Sequence, residues 1–87
     1  MAAYTETTGT LSNSATTLPA AERLGLIIGN PSDTVMTVRV GGTASATAGV
    51  PLPAGGRIEW VSPRSAPSQS ISIFCAGASK AFVAYEW

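Results

Sequence analysis

A hydrophobic alternation of period two runs through most of this chain and narrows the choice of fold more than any other feature. Leu24, Leu26 and Ile28 alternate with Gly25, Ile27 and Gly29. Met36, Val38 and Val40 alternate with Val35, Thr37 and Arg39, and Ile58 and Trp60 with Arg57, Glu59 and Val61. Ile71, Ile73 and Cys75 alternate with Ser70, Ser72 and Phe74, and Val83, Tyr85 and Trp87 with Phe82, Ala84 and Glu86. Each short run, with the first-named residues on its apolar face, reads as a half-buried strand.

Turn signals separate the runs. In Asn30-Pro31-Ser32-Asp33 the proline pre-sets φ at the second turn position. Gly41-Gly42 ends one strand, and Pro53-Ala54-Gly55-Gly56 divides Val50–Leu52 from Arg57–Val61. Ala76-Gly77-Ala78-Ser79 divides the last two strands. This spacing predicts an all-β fold, a small single-domain sandwich or barrel of about six to eight short antiparallel strands. Pro19–Arg23 has room for one short helical stretch. Residues 1–9 are polar and weakly patterned, which predicts a flexible N-terminal arm, or a strand that orders on a partner, ahead of a β-sandwich domain over 10–87. In Ser62–Ser68, Pro63 and Pro67 block ladder pairing and favour an extended loop.

At 87 residues the chain is one small domain with a thin core. Domains of this size usually lean on a disulfide, a metal or other chains. Cys75 is the only cysteine and there is no histidine, so an internal disulfide is excluded and a zinc site is not expected. Association with other chains is the remaining route. Five basic and five acidic residues cancel, and only 11% of residues are charged. Arg23, Arg39, Arg57, Arg64 and Lys80 are spread too evenly for a phosphate-binding patch, so no nucleic-acid partner is expected. A surface this poor in charge is easy to desolvate against a partner and repels its own copies weakly. The first ten residues lack the basic and apolar regions of a secretory signal, and no apolar run reaches membrane-span length. The expectation is a protein made in the cytoplasm, with no membrane partner.

Residues suited to chemistry are sparse. Glu6, Glu22, Asp33, Glu59 and Glu86 form no local carboxylate pair, and no histidine stands by as a general base. Cys75 lies inside a strand pattern, where a buried, inert thiol is expected. Gly41–Gly49 is Gly-rich, but no Lys-Ser/Thr pair closes it, so it is a connection of small side chains and not a phosphate loop. The expectation is a protein that is not an enzyme, with no cofactor, metal or small-molecule substrate. The candidate contact residues are Tyr4 in the arm, Gly42, Thr43 and Ser45 in the small-residue connection, Arg64 in the proline-bearing loop, and Trp87. Tyr, Trp and Arg are favoured at interfaces, and a rigid loop loses little entropy on binding. Trp60, alternating with Arg57 and Glu59, is expected to face the core.

Four segments in order, Arg23–Ile28 (RLGLII), Asn30–Asp33 (NPSD), Val38–Ala46 (VRVGGTASA) and Leu52–Trp60 (LPAGGRIEW), resemble small structural proteins of tailed bacteriophages. In size and composition the chain is most similar to the capsid cement, or decoration, proteins. That resemblance implies a β-sandwich on the outer surface of an assembled virion capsid, bound to the major capsid protein, commonly as a homotrimer, and stabilising the shell by bridging its subunits. It implies no catalytic residue. Two other readings stand beside it: another virion component, such as a head-fibre base or tail protein, and a carbohydrate-binding β-module with exposed aromatic rings.

Overall fold

The structure, a computed structural model, describes residues 4–87. Eight strands follow one another: β1 (Thr5–Leu11), β2 (Ser14–Leu18), β3 (Leu26–Gly29), β4 (Met36–Val40), β5 (Val50–Leu52), β6 (Arg57–Trp60), β7 (Ile71–Cys75) and β8 (Lys80–Glu86). They form two four-stranded sheets, β1-β8-β3-β6 and β2-β7-β4-β5, and every pairing is antiparallel. The all-β sandwich is therefore as the alternation predicts.

The topology has a simple rule. β4 pairs with β5, β3 with β6, β2 with β7 and β1 with β8. The chain is thus one long hairpin, doubled back at the β4–β5 connection, whose successive rungs fall in alternate sheets. Two further pairings, β3 with β8 and β4 with β7, close the roll. This is the eight-stranded jelly roll.

The core lies between the sheets. Leu11, Leu26, Ile28, Phe82 and Ala84 come from the first sheet, and Leu18, Met36, Val38, Leu52, Ile71, Ile73 and Cys75 from the second. Ile58 and Trp60 pack at its margin, as their alternation with charged neighbours implies. The free thiol of Cys75 is buried, as its strand pattern indicates.

Four expectations change. The nine-residue arm does not hold from Thr5 onward, where the chain enters β1 and pairs with β8 along all seven residues; residues 1–3 lie outside the described residues. The strand is hard to see in sequence because its inward residues are Thr and Gly, with only Leu11 large and apolar. Gly9 lies opposite Phe82, whose ring would have to give way slightly to a side chain there. Second, in β8 the buried residues are Phe82 and Ala84, while Val83 and Tyr85 point outward. β8 carries apolar residues on both faces, Ala81, Val83 and Tyr85 on one and Phe82 and Ala84 on the other, so alternation alone does not choose between them. Third, Leu24 is exposed, lying in the 19–25 connection ahead of β3 and not in the strand. Fourth, Pro19–Arg23 is a loop, not a helix.

Truncating Leu26, fully buried at the start of β3, should cost about 3 kcal/mol, the usual range for Leu→Ala in a packed core. Urea denaturation of Leu26→Ala should show a lowered midpoint with an unchanged slope; an unchanged midpoint would place Leu26 outside the core.

Candidate functional site

The wound hairpin sorts its connections onto two ends. At one end the turns are short: 12–13, 30–35, 53–56 and 76–79. At the other lie the three long connections, 19–25, 41–49 and 61–70, with Tyr4 and Trp87. Of the candidate residues singled out from the sequence, Tyr4, Arg64 and Trp87 stand at this long-loop end, and Gly42, Thr43 and Ser45 belong to its 41–49 connection.

Arg23 organises that end. Its side chain is 1% exposed. Nε donates to Glu86 Oε2 at 2.7 Å, Nη1 donates to the carbonyls of Pro67 and Gln69 at 2.7 and 2.9 Å, and Nη2 donates to the carbonyl of Pro19 at 2.7 Å. One guanidinium thus ties the 19–25 loop, the 61–70 loop and the end of β8 together. A buried cation needs this full set of partners to offset its lost hydration. From sequence Arg23 looked like one of five dispersed charges; only the fold shows four acceptors converging on it.

Trp87 closes the same end. Its N–H donates to the Gly25 carbonyl, and its own carbonyl accepts from the N–H groups of Leu24 and Gly25. The indole lies over Gly25, where a Cβ would overlap the ring, so any side chain there would displace the indole. Tyr4 meets the indole edge-on, with ring centroids 5.6 Å apart and planes at 63°. Expected as a group that packs on a neighbouring chain, Tyr4 packs on its own Trp87 and still leaves 70% of its surface in solvent. A groove of about 500 Å³ runs beside these groups, lined by Glu22, Arg23, Leu24, Pro63, Ala66 and Trp87, among others. Arg64 stands exposed in the turn over Ser62–Ala66, which is held by N–H bonds from Ser65 and Ala66 to the Ser62 carbonyl.

Gly42, Thr43 and Ser45 are placed differently. Their loop turns back over the outer face of the second sheet, where the Ala44 N–H donates to the buried Ser72 hydroxyl and Arg39 Nη1 donates to the Thr43 carbonyl. Gly49 ends the loop at φ +128°, against the Val38 carbonyl. Exposed large apolar side chains gather at the long-loop end. Of the seven among the described residues, Tyr4, Leu24, Val40, Val50 and Val61 lie there, Tyr85 lies on the face of β8, and Val35 lies at the short-turn end.

The short-turn end is locked by polar bonds. Asn30, buried, donates from Nδ2 to the carbonyls of Thr34, Leu52 and Pro53 and accepts at Oδ1 from the N–H and hydroxyl of Ser32. Lys80 Nζ lies 2.7 Å from Asp33 Oδ1, and that hydrogen bond holds the exposed Asp33 carboxyl below its ordinary range. Burial pushes the Cys75 thiol up, with the Lys80 cation opposing. Among the described residues no three His, Cys, Asp or Glu side chains cluster as metal ligands. The chain matches no protein-family model and no curated protein.

Two outcomes follow. Arg23→Met, which strands the Glu86 carboxylate and three loop carbonyls, should cost about 3–5 kcal/mol, the usual penalty for breaking a buried pair; denaturation should show the loss, and hydrogen exchange should quicken over 61–70. Cys75 should react with a thiol reagent at pH 8 only as fast as the sandwich opens; labelling within the mixing time under native conditions would contradict its burial.

Proposed function

We propose that this protein is a cement protein of a tailed-phage capsid, attached to the outer surface of the assembled shell by its long-loop end and stabilising the shell by bridging capsid subunits. The observation that carries this reading is the set of exposed apolar side chains at the long-loop end, Tyr4 and Leu24 beside Trp87 and Val61 where β6 leads into the Pro63–Arg64 turn, on an end tied together by Arg23. Burying one such apolar side chain contributes roughly 1.5–3 kcal/mol. A few of them make a modest contact per copy, and repetition over a lattice raises the effective concentration of each further contact. Jelly rolls recur in viral capsid and lectin domains. Fold alone assigns no function, and the resemblance in RLGLII, NPSD, VRVGGTASA and LPAGGRIEW adds the virion context.

The groove supports a second reading, sugar binding. Trp87, Glu22 and Ser68 all line it, an aromatic residue beside polar ones. Titration with saccharides, followed by tryptophan fluorescence, separates this from attachment to a protein lattice.

The test is co-sedimentation of the purified protein with capsids that lack it. Saturation at a fixed ratio to the capsid protein is expected. Leu24→Asp combined with Val61→Asp, at two exposed positions, should weaken binding at least tenfold and leave the circular dichroism unchanged. Absence of binding by the unmodified protein would sink the proposal.

A further inference from the structure

The two flanks of the sandwich are built differently. On one flank the edge strands are β5 and β6. β5 is only Val50–Leu52, with Pro51 at its centre, and β6 carries the exposed Arg57–Glu59 ion pair. Short length, proline and charge all discourage an edge from pairing with another chain. On the other flank the edges are β1 and β2. β1 runs through Thr5–Leu11 without proline, lysine, arginine or a bulge, and β2 has neither proline nor charge. Among the described residues β1 has a strand on one side only. Alternate N–H and C=O groups along β1 therefore point away from β8 with no strand to receive them.

We infer that β1 pairs antiparallel with β1 of a second copy of this chain, so that two four-stranded sheets become one eight-stranded sheet across a twofold axis. One register uses the whole strand: Thr5 opposite Leu11, Glu6 opposite Thr10, Thr7 opposite Gly9, and Thr8 opposite its own copy. That register also separates the only charges on the strand. The two Glu6 carboxylates stand four residues apart, about 14 Å at ~3.4 Å per residue, beyond the roughly 8 Å screening length at physiological salt. Sliding the strands by four residues would set Glu6 directly against Glu6, a destabilising like-charge pair. Glu6, Thr8 and Thr10 are exposed on the outer face, so Thr8 meets Thr8 there, a favourable cross-strand pair. The edge is thus self-complementary, as a twofold interface requires, and the near-neutral chain opposes it with little net repulsion. β2 lies next on the same flank and extends the contact.

This pairing stands independently of the capsid reading, and it differs from the trimer implied by the resemblance. Light scattering of the purified protein over micromolar to millimolar concentrations should give twice the chain mass. Thr8→Lys places two cations face to face across the axis and should raise the dimer dissociation constant at least tenfold with circular dichroism unchanged. Thr8→Cys should oxidise to a disulfide-linked dimer, whereas Thr47→Cys, in the 41–49 loop, should not. A monomer at every concentration, a trimer, or a Thr8→Lys dimer as tight as the unmodified one would each overturn the inference. So would a monomer whose β1 amides become protected only when capsids are added, because the flank would then take a foreign strand.

Discussion

The guanidinium of Arg23 sits where three separate stretches of chain must be brought to one point, and the long-loop end depends on it. Loops of this length cannot pack themselves; their carbonyls need donors, and most of their side chains are too small to form a second core. Arg23 supplies donors from inside, to Pro19, Pro67 and Gln69, and fixes itself through Glu86 on β8. A lysine at this position would bring one compact charge and no planar fork, and would not span four acceptors in these directions. With the loops tied from beneath, Leu24, Val61 and Tyr4 are free to face outward, since none of them is needed to hold the end together.

The same division of labour appears at the other end in neutral form. Asn30 joins the β3–β4 turn to the end of β5 and the β5–β6 turn through hydrogen bonds donated by its side-chain amide. Each end therefore has one buried polar residue bridging loops that are far apart in sequence. One holds compact turns closed, and the other holds long loops open. Neither leaves a buried side-chain nitrogen or oxygen without a partner among the described residues.

Strands with Val, Ile, Leu and Met on one face were legible in the sequence, because their alternation is also their burial pattern. β4 and β7 show this in Met36, Val38, Ile71, Ile73 and Cys75, all in the core, while Val40 at the end of β4 is exposed and Ser72 is buried beneath the Ala44 loop. β1 and β2 were not legible, because threonine serves in strands and in polar loops alike, and pairing with β8 and β7 decides between them. The candidate contact residues were chosen by residue type, and the winding of the hairpin, which sends every even-numbered connection to one end, explains why the loops that carry them start from the same side. Arg23 and Asn30 were missed as buried residues. Their burial depends on carbonyls contributed from 44 and 22 residues away, and no local pattern carries that information.

The wound hairpin also sets the order in which the molecule becomes whole. Its outermost rung joins the first strand to the last, β1 to β8, and β8 is also the only strand that connects β1 to β3. While the chain is being synthesised, the first sheet stays in two pieces until Lys80–Glu86 has left the ribosome, and Phe82 and Ala84 are absent from the core until then. A nascent chain of this topology gains little from folding early. It should acquire its structure late and in one step, at the slow pace set by contacts between distant parts of the sequence.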